Sequence, residues 1–308
     1  MTADRRAASR NMGLIKRLRF WLRSWLWHRS WFMAPVLAWQ YRQRFGHWPS
    51  PLAPKRFNEK LFVRMAFDRR PLLPQLAGKM EARAFVAERL GRDDQQAALL
   101  GVAYAPGDVD AMALPARYIV KASHASGLVR IVTEDNPITP AHLAALVGSW
   151  LAQDYGRYTL EWCYRMVRPA VVFEQLLDHD GAPPSDVKLF CFDGRVAYVQ
   201  IDSARFTGHT QSMFDRQGRW LDIQVKDYAR DAVPPELPQL LPEMIAAAER
   251  LSAGIDFVRV DLFDLGDHFV VGELTTTPQG GSGNFRPARW DAVFGAHWKM
   301  PGWRVLRG

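Results

Sequence analysis

Spacing alone divides the chain into three stretches. Between residues 13 and 32 apolar side chains recur at helical intervals: Leu14, Leu18, Leu22 and Trp25 fall on one stripe. Lys16, Arg17, Arg19, Arg23 and Arg29 lie mostly off it, and no acidic residue occurs between Asp4 and Glu59. A proline-rich connector follows, with Pro49, Pro51 and Pro54. Helical periodicity then returns over residues 58–68 and 72–90, the second run ending at Gly91, a helix-stop signal.

From about Ala98 the pattern becomes mixed α and β. Tyr118-Ile119-Val120-Lys121 is a short apolar strand that ends on a lysine. Ser123 to Gly127 is a small flexible loop, and residues 129–133 return as a strand. Residues 140–154 form an amphipathic helix with Thr139 as cap and Pro140 in its first turn. Residues 170–173 and 187–192 are buried strands. Asp193-Gly194 is a hairpin turn leading into residues 195–201. A helix over 242–253 precedes two closing strands, 257–263 and 268–275. No strand-rich block precedes residue 98.

Composition narrows the class. With 48% hydrophobic and 23% charged residues the chain reads as globular, and its 308 residues suffice for a large core. Forty basic against thirty-two acidic side chains leave +8, which favours nucleotide phosphates, an anionic polymer or an anionic membrane surface. None of the common nucleic-acid reader motifs is present, so no nucleic-acid partner is expected. Two cysteines, Cys163 and Cys191, without metal-type spacing fit a reducing compartment. The longest apolar run, residues 31–39, is too short to span a bilayer.

The closing strands carry the sharpest chemistry. Side chains alternate along a strand, so Arg259, Asp261 and Phe263 share one face, as do Phe269, Val271, Glu273 and Thr275. If residues 266–268 form the loop, Asp261 faces Glu273 and Arg259 faces Thr275. Two carboxylates in otherwise apolar strands are costly unless a cation sits between them, and hard oxygen ligands suit Mg²⁺ carrying phosphates. The bland alternative is a surface hairpin with scattered charges. Lys121, at a strand end before the Ser/His/Gly loop, could neutralise a phosphate. Residues 171–177 could line an adenine slot. Neither GxxxxGK[ST] nor GxGxxG occurs.

Taken in order, Lys-x-x-His-x-Ser-Gly, Phe-Glu-Gln-Leu-Leu, Asp-Val-Lys-Leu-Phe-Cys-Phe-Asp-Gly, Arg-Phe-Thr-Gly-His and Phe-Val-Arg-Val-Asp-Leu…Gly-Glu-Leu-Thr-Thr-Thr-Pro resemble the TupA-like ATP-grasp family. Residues 57–61 and 72–79 extend the likeness, which covers roughly 55–300. The resemblance implies an α/β (α+β) ATP-grasp fold, two α+β subdomains clasping a nucleotide, behind a helical N-terminal extension. The expected divisions are 1–50, 51–97, 98–172 and 173–308.

The same resemblance implies ATP and Mg²⁺ as cofactors and assigns roles. Arg83 and Lys121 look like phosphate contacts, with Ser123, Ser126 and Gly127 in a phosphate-covering loop. Glu174, Gln175, Leu176 and Leu177 are similar to the adenine hinge. Asp186 stands where a ribose-binding carboxylate is found, and Lys188 on the same strand face could reach the γ-phosphate. Asp261 and Glu273 look like the Mg²⁺ ligands, with Arg259 beside the transferred phosphoryl group. Thr275 stands where many ATP-grasp ligases carry an asparagine ligand, which leaves the third coordination site open. Arg205 and His209 could bind an acidic acceptor, and His209 could serve as a base; a solvated loop histidine is the alternative.

The expected activity is ATP-dependent carboxylate–amine ligation through an acyl phosphate, in teichuronopeptide-like or other cell-surface polysaccharide synthesis. The carboxylate would belong to a small molecule or an acidic glycan, and an amine would be the acceptor. The competing readings are a nucleotide-sugar glycosyltransferase, for which Asp108-Val-Asp110 and Asp178-His-Asp180 match a DxD pair in letters, and a non-catalytic nucleotide-binding scaffold. The basic, tryptophan-rich N-terminal stripe suggests a cytoplasmic enzyme held peripherally at the inner membrane face. Its rival is a helix packed on its own domain.

Overall fold

The structure, a computed structural model, describes residues 30–92, 95–178, 182–203, 208–225 and 228–306. The basic stripe over residues 13–29, Asp180 and Arg205 lie outside the described residues. Two compact units divide the chain, residues 1–49 and 50–308. In the first, helix α1 (Ser30–Phe45) contains Pro35, and the Tyr41 and Phe45 rings lie 4.5 Å apart. Among the described residues no helix is long and apolar enough to cross a membrane.

The second unit opens with α2 (Phe57–Phe67), α3 (Leu72–Ala77) and α4 (Lys79–Leu90). Glu59 caps the start of α2, its carboxylate accepting from the backbone N–H of Lys55 and Arg56 at 2.8 and 3.0 Å. The single helix expected over 72–90 is broken at Gly78, whose extended backbone separates α3 from α4. α4 ends on Gly91 in the left-handed region, φ 71°, where glycine costs least.

Four antiparallel strands follow: β1 (Leu99–Ala103), β2 (Tyr118–Ala122), β3 (Val129–Val132) and, beyond two helices, β4 (Val171–Gln175). They lie in the order β1-β4-β2-β3. Helix α5 (Pro140–Leu151) is capped by the Thr139 hydroxyl, which accepts from the His142 N–H at 3.3 Å. Its Leu143, Val147 and Trp150 join Val120 and Phe173 in one core. The short α6 (Tyr155–Thr159) follows it. β4 pairs along its whole length in this sheet. The division expected between 172 and 173 would therefore cut a strand, and the passage to the next sheet comes between Gln175 and Ser185.

The larger sheet is antiparallel, in the order β11-β10-β5-β6-β7-β8. Its strands are β5 (Ser185–Phe192), β6 (Arg195–Ser203), β7 (Thr210–Asp215), β8 (Trp220–Leu221), β10 (Phe257–Asp264) and β11 (Phe269–Thr275); β9 (Gln224–Val225) pairs separately with β12 (Phe285–Arg286). Asp193 and Gly194 both take positive φ, 51° and 75°, which makes the tight turn between β5 and β6. Helix α7 (Leu241–Ser252) precedes β10; α8 (Arg289–His297) and α9 (Trp303–Leu306) close the unit.

Alternation gives this sheet two unlike faces. On one, Val187, Leu189, Cys191, Val258, Val260 and Leu262 are buried with Met244, Ala248 and Leu251 of α7. Each Val, Leu or Met side chain among them contributes about 1.5–3 kcal/mol on burial. The opposite face is aromatic at one end, where Phe190, Phe192, Tyr198 and Phe257 pack with Phe57, Phe294 and Trp298. At its other end the same face carries Asp186, Lys188, Gln200, Asp202 and Asp261, all buried. Polar groups so placed must satisfy one another or a ligand.

Candidate active site

The β10–β11 hairpin brings its two carboxylates together. Asp261 stands opposite Glu273, Val260 opposite Leu274 and Arg259 opposite Thr275. The route to this register differs from the expected one. The loop is the two residues Gly266 and Asp267, closed by Leu265 N–H to His268 O at 2.9 Å, so Phe263 pairs with Val270 and Leu262 with Val271. A bulge that skips Gly272 then restores the pairing at Asp261. The ring of Phe263 occupies the space a side chain at 272 would need: an added Cβ would lie 2.7 Å from it.

On β10, Arg259 grips Asp261 with two hydrogen bonds of 2.6 Å and donates to the Thr275 hydroxyl at 3.2 Å. Thr275 is thus engaged by the guanidinium in this structure. Burial alone would lower the Arg259 pKa, and the facing Asp261 more than reverses it. Burial pushes the Asp261 carboxyl upward, while Arg259 and Lys188 pull it down.

Asp261 also pairs across to Lys188 on β5, and Lys188 to Gln200 on β6. The Lys188 ammonium bonds the Asp186 carboxylate and, at 2.5 Å, that of Asp202. Gln200 donates to the other oxygen of Asp202 at 2.6 Å, and His209 Nε2 lies 3.4 Å from Asp202. Burial opposes the Asp202 anion, but Lys188 holds its pKa below the usual range. His209 therefore belongs to the Asp202–Lys188 cluster, its ring 4.3 Å from that of Tyr228.

The facing wall of the cleft comes from α4 and the smaller sheet. Lys79, Arg83, Lys121, Glu174 and Leu177 line it opposite Phe263 and Glu273. Gln175 and Leu176 line the adjoining part of the same cleft. Arg83 and Lys121 both bond the Glu174 carboxylate, at 3.0 and 2.7 Å. The two cations expected to meet phosphate are thus neutralised here by the side chain of a residue expected at the adenine hinge.

The loop after β2 needs a correction. Ser123 is fully buried, its N–H bonds Ala170 O at 2.8 Å, and His124 and Ala125 are buried too. Only Ser126 and Gly127 are exposed, with Gly127 at φ 77°. Ser123 thus anchors the loop, leaving Ser126 and Gly127 as its accessible part.

Spacing did not single out three participants. Lys79 donates to the carbonyls of Ala122 and Ala125, both at 2.8 Å, and burial lowers its pKa. Its signal was position alone, a lysine directly after a helix-breaking glycine. Asp202 completes the Lys188 cluster from the neighbouring strand. Glu161 sits buried beside the end of β11.

Asp261 and Glu273 offer hard oxygens from two adjacent strands, with Lys79, Lys121 and Arg83 across the cleft, a donor set that fits Mg²⁺ bridged to phosphates. Among the described residues no group of three or more His, Cys, Asp or Glu is arranged to hold a metal by itself. Phosphate and water would supply the remaining ligands. Asp108, from the glycosyltransferase alternative, is occupied otherwise: its carboxylate accepts from the N–H of Tyr104 and Ala105 at 2.7 and 2.9 Å.

Two antiparallel sheets facing each other across a cleft lined with lysine, arginine and carboxylate define an α+β nucleotide-clasp architecture. The sequence model of the TupA-like ATP-grasp family matches residues 59–299, and the chain belongs to that family. No curated protein matches it significantly. Among solved structures, it is similar to an L-amino acid ligase from Bacillus licheniformis at 14% identity and TM-score 0.45, covering 80% of this chain and 55% of that one. A D-alanine–D-alanine ligase from Helicobacter pylori matches at 16% and 0.39, covering 73% and 61%. The ATP-grasp ligase PsnB, solved with a precursor variant, Mg and ADP, matches at 12% and 0.36, covering 67% and 51%. The match spans about half to three fifths of those chains, and likeness of this degree carries no argument about chemistry.

Proposed function

We propose that this chain is a Mg-ATP-dependent carboxylate–amine ligase that activates its carboxylate substrate as an acyl phosphate. The observation that carries the reading is the Asp261–Glu273 pair, aligned across adjacent strands and faced by Lys79 and Arg83 from α4 and by Lys121 from the smaller sheet. Bound Mg²⁺ would neutralise phosphate charge and orient the transferred group.

The protein groups would supply positioning and electrostatics. Lys121 and Arg83 would exchange the Glu174 carboxylate for phosphate oxygens. Lys79 holds the backbone of the loop whose tip, Ser126-Gly127, would cover those phosphates. Arg259, fixed by Asp261, would face charge developing on the transferred group, and Lys188, fixed by Asp186 and Asp202, would add a second cation. Gln175 to Leu177 would flank the base. His209 would assist an acidic acceptor, a role it would share with Arg205.

The acceptor chemistry we favour is a uronate or glutamate carboxylate of a cell-surface polymer joined to an amine, as in teichuronopeptide-like synthesis. The net charge of +8 suits such an acidic polymer. With the basic N-terminal stripe, it also suits a cytoplasmic enzyme held peripherally at the inner membrane face. A screen for ATP consumption across amino acids and uronate-bearing glycans tests the reading. Mg-dependent ADP release that requires both a carboxylate and an amine is expected. Release of nucleoside diphosphate from UDP-sugars, with none from ATP, would overturn it.

A further inference from the structure

Between α5 and β4 the chain makes a compact detour with no hydrophobic periodicity, and it delivers one buried carboxylate. Leu160, in the left-handed region at φ 61°, turns the chain so that Glu161 points inward, where it is 6% exposed. Glu161 Oε1 accepts the Thr277 hydroxyl at 2.6 Å. The Thr159 and Tyr155 hydroxyls also favour the Glu161 anion, and Ser126 favours ionisation of Tyr155. Among the described residues no lysine or arginine forms an ion pair with Glu161, and the like-signed Glu273 raises its pKa further.

The hydroxyls of Ser126, Tyr155 and Thr277 come from separate places. Ser126 is the accessible tip of the loop after β2, Tyr155 lies in α6, and Thr277 follows β11 four residues beyond Glu273. The segment that leaves β11 needs a tie. Gln279, Gly280 and Gly281 all take positive φ, 53°, 58° and 69°, and continue neither strand nor regular helix. A buried carboxylate held by hydroxyls is expensive, and burial pushes the Glu161 pKa up to about 7.

We propose that Glu161 is a positioning residue of the phosphoryl site: it locks Thr277 to Tyr155, and through Tyr155 to Ser126, fixing the Glu273 end of the hairpin against the phosphate loop. The inference rests on the Mg-nucleotide reading above. Its distinguishing feature is that the lock needs hydrogen-bond acceptance, so the isosteric amide should retain it where alanine does not.

The test is calorimetric titration of the full chain with the non-hydrolysable ATP analogue AMPPNP, with and without Mg²⁺. Glu161→Ala and Thr277→Val should each weaken Mg-AMPPNP binding about tenfold, the worth of one or two hydrogen bonds. Adding Thr277→Val to Glu161→Ala should cost less than about threefold more, because both cut the same link. Glu161→Gln should stay within about threefold of the parent, and metal-free AMPPNP affinity should barely change in any variant. If the parent chain does not bind Mg-AMPPNP, the nucleotide reading itself fails. If the parent binds and Glu161→Ala binds equally well, or if Glu161→Gln is as weak as alanine, the positioning role is wrong. Should Glu161→Ala fail to fold, Tyr155→Phe and Thr277→Val carry the test, and parent-like affinity in both refutes it.

Discussion

Removing Asp261 should damage the fold as well as the site, and the cause is Arg259. The guanidinium retains 12% side-chain exposure and takes both Asp261 oxygens at 2.6 Å. Asp261→Ala leaves that cation with only the Thr275 hydroxyl at 3.2 Å as a bonded partner in the hairpin. Breaking a buried ion pair from one side costs about 3–5 kcal/mol, more than the repulsion from Glu273 that is relieved. At roughly 2–4 °C per kcal/mol for a domain of this size, the melting temperature should fall by about 6–20 °C. Glu273→Ala, which removes no comparable partner, should shift it by less than about 2 °C. Urea and thermal unfolding of the ligand-free chain measure both. Arg259→Met combined with Asp261→Ala should recover much of the loss, since no orphaned charge remains. An Asp261→Ala protein as stable as the parent, or a double variant less stable than Asp261→Ala, would refute the argument.

Three further outcomes follow from the geometry. Gly272→Val should cost about 1–3 kcal/mol by overpacking against Phe263, and should weaken Mg-nucleotide binding through the displaced Glu273, as unfolding and calorimetry can show. Lys79→Met leaves the carbonyls of Ala122 and Ala125 without their ammonium donor, so amide exchange across residues 122–128 should accelerate; unchanged protection would count against the anchoring role. The Glu161 carboxyl holds its proton more tightly folded, near 7, than unfolded, near 4.5, so the stability it confers is greatest at low pH and declines as pH rises between those values. Glu161→Gln should remove that decline and gain about 3 kcal/mol on the parent between pH 4.5 and 8, read from urea midpoints; parallel profiles would contradict it.

What spacing made legible was whatever repeats locally. The alternation in Phe257 to Phe263 and in Phe269 to Thr275 marked out the two strands, Asp261 was set opposite Glu273 only by assuming a loop over 266–268, and Asp193-Gly194 fixed the β5–β6 turn. The two-residue loop was not legible, because the compensating bulge at Gly272 depends on where the Phe263 ring packs. Gly78 was hidden inside a helical pattern, and its effect emerges only where α3 and α4 separate. β7 required knowing that β6 has a second neighbour, and Asp202 that the β5–β6 hairpin sets it opposite Asp186 within reach of Lys188. Glu161 was the least visible: residues 152–169 show no period, and its partners Thr277 and Tyr155 are respectively 116 and 6 residues away in sequence.

The central claim is that Asp261 and Glu273 hold a metal that carries nucleotide phosphates, and calorimetric titration with AMPPNP at zero and millimolar Mg²⁺ tests it most directly. The parent chain should bind the analogue at least about tenfold more tightly with Mg²⁺, and Glu273→Gln, which keeps shape and removes charge, should lose most of that gain. Nucleotide binding that ignores Mg²⁺ in the parent, or a Glu273→Gln protein with the full metal-dependent gain, would contradict it.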